Sequence, residues 1–398
     1  MERKYSLSLM LTLVLVASAL TCVTLSLFFY FHLRAQRDTN SNTNDFIELT
    51  NIIEERFIGT FDMDEITNAA MHAAIEALDD DWSYYLSPEE YAEFLANANN
   101  RYTGIGVEVE IDEETEGMRV LGVYSDSGAD IAGIHVSDII VAVDGESILG
   151  LTLNEIRERL RRQLGDSAVL TVLREDGEYY ELTVLYDVVF RDPVYFKMIE
   201  ENIGYVMLKN FEDGAADRFI TAVNELIDEG AEAFIYDVRN NFGGRVGEVT
   251  KVLDFLLPEG EIFISVDRSG VEKITKSSAD YLDMPAVVLV NRHSYSGAEY
   301  FAVMLDEYAY AKTVGEQTTG KNRMQTTIAL SNGGAVHIST GHYLTKNRVS
   351  LFDTDGYTPQ YIIPMTDEDL LLFNKRELEK EMDLQLTKAL SLLENIEN

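Results

Sequence analysis

Cysteine is almost missing from this chain: Cys22 is the single one among 398 residues. No intrachain disulfide can form, so the covalent route to stability is closed and nothing about redox compartment follows. Six histidines are scattered singly along the sequence, and no Cys/His cluster offers a metal site. Basic residues are scarce too, 32 against 69 acidic ones, for a formal net charge of −37. Residues 1–44 hold four basic and two acidic groups, so the rest of the chain carries −39, that is −37 less +2. A field of that sign repels phosphate backbones and anionic headgroups, which excludes a nucleic-acid partner. Proline (six) and tryptophan (one) are rare, and no internal repeat or long low-complexity tract is present. With 46% apolar residues, the length suffices for a sizeable core and two folded units.

One long hydrophobic run stands out. Residues 5–31 contain no charge and consist mostly of Leu, Val, Ala, Ser, Thr and Phe. A membrane span needs about 20 apolar residues, whereas the core of a cleaved signal is about 7–15. The run therefore reads as an uncleaved anchor, with residues 1–37 as a cytoplasmic tip and transmembrane helix. A polar linker and helical lead-in follow over 38–100. Asp62 with Glu65 and Ser87-Pro88-Glu89-Glu90 each signal a helix start, the second as a capping box.

From 101 to 189 the pattern is β-rich and compact. Tyr102-Thr103-Gly104-Ile105-Gly106-Val107 leads into alternating apolar residues, and Ala132 to Gly145 ends in Asp138-Ile139-Ile140-Val141-Ala142-Val143-Asp144-Gly145. Leu153 to Leu164 reads as a helix. From 190 to 398 strands and helices alternate: strand Ile203–Leu208, helix Gly214–Glu229, strand Phe234–Val238, helix Val246–Leu256, strand Ala286–Val290 and a helix from Gly297. The tail from Asp367 to Glu397 reads as helical and charged, with a solvated acidic face.

The chemistry concentrates between Asn291 and Gln325. Ser296 sits where an apolar strand gives way to a helix, and Lys321 follows 25 residues later in a Gly/Thr-rich turn. A serine hydroxyl needs a base to become a nucleophile. A lysine serves only when neutral, which calls for burial that lowers its reference pKa of about 10.4 by roughly 3 units. Two other readings fit the same residues less well. Gly315 to Lys321 matches the phosphate-loop spacing, but Asn322 replaces the required Ser or Thr and a strand-like run follows instead of a helix. A Ser–His–acid triad lacks the G-x-S-x-G elbow, although His293 and His342 remain candidates for the base.

These residues resemble the carboxyl-terminal processing proteases, serine–lysine peptidases that carry a PDZ domain. The resemblance runs through Ser294-Tyr295-Ser296-Gly297-Ala298-Glu299, through Gly315-Glu316-Gln317-Thr318-Thr319-Gly320-Lys321 with Gln325, through 79–91 and through Asp237 to Gly244. It implies Ser296 as nucleophile, Lys321 as base, Gln325 as the residue orienting it, and Gly244 and Gly297 as oxyanion donors. It further implies that Gly104, Ile105 and Gly106 form the PDZ loop receiving a terminal carboxylate. The expected fold is an α+β/α/β multidomain chain: a membrane helix, a helical lead-in, a PDZ-like β-rich module and an α/β (ClpP/crotonase-like) serine protease core. Expected partners are protein substrates with unstructured, apolar C-termini, with no cofactor and room for a homo-oligomer. The body is expected outside the cytoplasm. Phe242 and Tyr295 depart from the family, which has Pro and smaller residues there. They keep open a second reading, a catalytically inactive PDZ scaffold that binds protein C-termini.

Overall fold

The computed structural model describes residues 43–112, 114–375 and 378–394, together with Thr21, Thr24 and Leu25. The expected membrane span lies outside the described residues except for those three. Among the described residues, no helix is long and apolar enough to cross a membrane. Residues up to Ala69 and residues from Ala70 onward form two units. The first is helical over 43–56 and again from Met63.

In the second unit, the α/β core is built on a six-stranded sheet. Its order is Val194–Met198, Ile203–Leu208, Ala233–Asp237, Ala286–Val290, Ala311–Gly315, Tyr361–Ile362, parallel after the first pair. Ala286–Val290 is apolar and buried at all five positions, as a strand covered on both faces must be. One face carries helices Ala215–Asp228, Val246–Leu256 and Gly297–Glu307, which pack on Val206, Leu208, Phe234, Tyr236 and Val288. The other face carries helix Leu384–Glu394, whose Leu386, Ala389, Leu390 and Leu393 meet Tyr205, Ile235, Val287 and Leu289. The tail thus supplies core through this face, while acidic residues such as Glu368 and Glu394 stay exposed as expected. Its charges mask an apolar stripe at spacings of three and four that supplies the sheet's second layer.

A second sheet stands beside the first. Ala335–Leu344 pairs with Tyr84–Leu86, Glu261–Asp267 and Arg323–Ala329, all antiparallel. Ser87 and Glu90 close the capping box expected for helix Pro88–Ala98.

The β-rich module has its own core, centred on Met118, Ile140, Ile156, Leu170 and Val184. Its strands run in the order Val107–Ile111, Met118–Val123, Ile139–Val143, Ser167–Leu173, Tyr179–Leu185, which leaves Val107–Ile111 at an edge. The helix starting at Leu153 ends at Arg159, shorter than expected. Asp166 takes the Gln163 N–H into a turn and Gly165 follows at φ 89°, so the chain leaves the helix early to enter the next strand. An antiparallel ribbon, Arg101–Gly104 against Asp187–Phe190, holds the module's two ends together.

Candidate active site

Open α/β sheets present their crevice at the carboxyl ends of the parallel strands. Three loops meet there, following Asp237, Val290 and Gly315. Buried amides and a hydroxyl lock the first two. Asn291 Oδ1 accepts from the Asn240 N–H at 3.0 Å, and its Nδ2 donates to Asn240 Oδ1 at 2.8 Å. The Ser294 hydroxyl donates to the Val238 carbonyl at 2.7 Å. Asn241 accepts from the Gly243 N–H at 2.8 Å and donates to the Leu208 carbonyl at 2.7 Å. Each group would be costly to bury unpaired, and together they hold the loops in place.

Ser296 then sits at φ 57°, ψ −119°, immediately before helix Gly297–Glu307. A non-glycine residue held there is strained, at a cost on the order of 1–3 kcal/mol. The opposite loop approaches closely. A Cβ on Gly243 would lie 2.7 Å from the Gly297 nitrogen and 2.9 Å from Ser296 Cβ. Among the described residues, neither the Gly244 nor the Gly297 N–H has an acceptor. Ser296, Lys321, Gln325, Gly243 and Gly244 line one cavity of about 750 Å³.

Lys321 is held largely from water, and burial lowers its pKa to about 8 against the opposing pull of Asp80 and Glu299. Its Nζ lies 4.4 Å from the centre of the Trp82 ring and 5.7 Å from that of Tyr295. Tyr295 stacks on Phe242 at 5.2 Å and leans on Trp82 at 5.8 Å. The two family departures therefore form an aromatic wall beside the lysine, and they line the cavity without filling it. Gln325 lines it too, its amide donating to Ser339 Oγ at 3.1 Å. Lys321 is followed by strand Arg323–Ala329, which leaves no helix N-terminus to hold a phosphate. His337 lines this cavity, whereas His293 and His342 do not. Burial and the nearby lysine push the His337 pKa down to about 4.

Residues 202–363 match the model of peptidase family S41, and residues 119–174 match a PDZ domain. The chain carries an S41 peptidase domain and a PDZ domain. Its curated relatives include the carboxyl-terminal-processing proteases of Picosynechococcus sp. and Synechocystis sp. The first is 29% identical over 81% of this chain and 78% of its own. The second is 28% identical over 83% and 77%. A solved structure from Bacteroides fragilis assigned to the S41 proteases shares the fold, with TM-score 0.57 at 17% identity over 82% of this chain and 90% of its own.

The peptidase holds one functional candidate to which sequence reading assigned no role. Glu299, fully buried on the first turn after Ser296, accepts from the Ser296 N–H at 2.8 Å and the Lys321 N–H at 3.0 Å. It also accepts from the Gly320 N–H and the Thr318 hydroxyl, each at 2.5 Å. Burial raises its pKa against those bonds. One carboxylate therefore ties the serine turn to the lysine loop. The capping pattern, a Glu three residues after Ser296, was the available signal, and it reads equally as an ordinary helix start. Glu299→Gln puts an NH2 in front of N–H donors. It is expected to lower stability by about 1–3 kcal/mol and to reduce turnover, both read on the same sample by thermal unfolding and peptide hydrolysis.

In the PDZ module, the Gly104–Gly106 turn is buried, with Gly106 at φ 88°. The Ile105 and Gly106 N–H groups have no acceptor among the described residues. They lie just before the edge strand Val107–Ile111, a geometry suited to a carboxylate followed by an added strand.

Proposed function

We propose that this peptidase is anchored in the membrane by residues 5–31, with its body outside the cytoplasm. It captures unstructured C-terminal tails in the PDZ groove and hydrolyses peptide bonds at Ser296 with Lys321 as base. The carrying observation is the cavity that joins a strained Ser296, the Gly244 N–H, which has no acceptor among the described residues, and a lysine of lowered pKa.

Neutral Lys321 takes the proton from Ser296 Oγ as Oγ bonds to the scissile carbonyl carbon. The carbonyl electron pair moves to oxygen, where the Gly244 and Gly297 N–H groups and the helix N-terminus stabilise it. As the C–N bond breaks, the Lys321 ammonium returns the proton to the leaving amine, and an acyl-enzyme remains. Water then attacks by the same route and releases the acid. Gln325, held by Ser339, directs the amine.

A fluorophosphonate tests this reading. It is expected to add one adduct, mapped to Ser296 by mass spectrometry, and casein cleavage by residues 39–398 should stop in step. The tail-binding scaffold, favoured by the Phe242–Tyr295 stack beside the lysine, predicts no adduct, no cleavage and undiminished tail binding in Ser296→Ala.

The lowered lysine also sets a pH profile. Because the base works only when neutral, kcat/KM is expected to climb about tenfold per pH unit below 8 and to flatten above it. A profile governed by a group near 6.5 would point to a histidine instead.

A further inference from the structure

The cavity's charge runs against that of the whole chain. In a protein with 69 acidic and 32 basic residues, the charged groups lining it are Arg101, Arg191, Lys209, Arg245, Lys321 and Arg323, with Glu212 as the one carboxylate. Two of the cations are paired: Arg245 lies 3.7 Å from Glu212 and Arg323 lies 2.6 Å from Asp80. Burial pushes Glu212 up to about 7, so near neutrality it offsets less than a full charge.

Lys321 serves as the base, and two more, Arg101 and Arg191, stand together on one side. Arg101 and Arg191 sit at the open end of the ribbon that joins the PDZ module to the core, in register with Phe190 and Asn100. Arg101 is exposed and has no ionic partner among the described residues. Arg191 lays its guanidinium 4.2 Å from the Tyr102 ring centre and has no carboxylate partner among the described residues. This ribbon runs directly into Gly104–Ile105–Gly106.

We propose that the segment of substrate lying between the PDZ-bound terminus and the scissile bond is acidic, its Asp or Glu side chains meeting Arg101 and Arg191. This rests on the peptidase reading above and adds a substrate class to it. The charge placement explains how an anionic protein holds an anionic tail. Exposed charges more than about 8 Å away are screened at physiological salt, so the nearby cations decide the contact while the bulk of the surface does not. A cleft of one sign also focuses its own field.

The test uses three peptides with one apolar C-terminus and one scissile region, differing only in two residues between them: Glu, Gln or Lys. The Glu peptide is expected to show kcat/KM about tenfold above the Gln peptide at low salt, with the Lys peptide lowest. The advantage should shrink at 0.5 M salt, a condition chosen at roughly half the screening length of physiological buffer. Arg101→Gln with Arg191→Gln should abolish it, and Arg101→Glu with Arg191→Glu should turn the preference to Lys, a reversal that a merely weakened fold would not give. Equal hydrolysis of the Glu and Gln peptides by the parent overturns the proposal and leaves the peptidase reading intact. If the parent cleaves none of them, the peptidase reading fails. The charge proposal is then decided by fluorescence anisotropy of the same peptides on Ser296→Ala, where equal affinities overturn it and a Glu preference upholds it.

Discussion

Replacing Lys321 by Met is expected to cut kcat by about 10³–10⁴-fold while making the protein more stable. The two effects share one cause. Burial lowers the ammonium's pKa to about 8, which means that the folded protein disfavours the charged form relative to the unfolded chain. A folded pKa below the unfolded value of 10.5 gives a penalty that is fully present below pH 8. It fades as the pH rises toward 10.5, where both states are neutral. Met keeps the stem against Trp82 and Tyr295 and removes the charge. Because the ammonium is partly solvated and sits on the Trp82 ring, the gain at pH 7 is about 1–2 kcal/mol rather than the full worth of the shift. Thermal unfolding of parent and Lys321→Met at pH 7 and pH 10 measures it, and the difference should be larger at pH 7. Unchanged hydrolysis in this variant would move the base to another group, and His337 is the histidine that the cavity supplies.

How much of this could be read from the chain depends on range. Ser296, Lys321 and Gln325 were legible because each lies in a short motif of fixed spacing, and the structure brings all three to one cavity. The parallel strands were legible as well, since Ile203–Leu208 and Ala286–Val290 are apolar runs bounded by turn residues. The missed parts depend on partners distant in sequence. Trp82 reaches Lys321 from 239 positions away, and nothing in the 79–91 block states that its indole will face an amine. Glu299 looks like a cap and is also a clasp, because its second set of donors comes from Thr318, Gly320 and Lys321. His337 was one histidine among six, distinguished only by the strand register that sets it opposite Tyr84. The tail's core role was missed for a related reason. Its charged residues are genuine, but the face between them is apolar, and only the sheet's uncovered side gives that face a place.

That tail supplies the second large effect. Arg239→Met is expected to destabilise the protein by about 3–5 kcal/mol, because it leaves two buried carboxylates unpaired. The Arg239 guanidinium is almost wholly enclosed. Its Nη2 donates to Asp237 Oδ2 at 2.6 Å, its Nε to Asp237 Oδ1 at 3.0 Å, and its Nη1 to Asp383 Oδ2 at 2.8 Å. Tyr205 adds a hydroxyl to Asp237 at 2.6 Å, and the Phe373 ring centre lies 4.3 Å away. The cluster thus bolts the start of helix Leu384–Glu394 to the end of strand Ala233–Asp237, the strand that feeds the Gly243–Gly244 loop. Buried ion pairs add little net stability compared with apolar replacements, but removing one member of a set is costly. The triple change Arg239→Met, Asp237→Asn, Asp383→Asn should therefore recover much of what the single change loses, as measured by urea unfolding. Activity gives the second readout. If the bolt also positions the Gly244 N–H, the triple variant will regain stability before it regains kcat, because neutral side chains restore the packing without restoring the fixed angle at which the loop departs. Recovery of both together would mean that the cluster acts on stability alone.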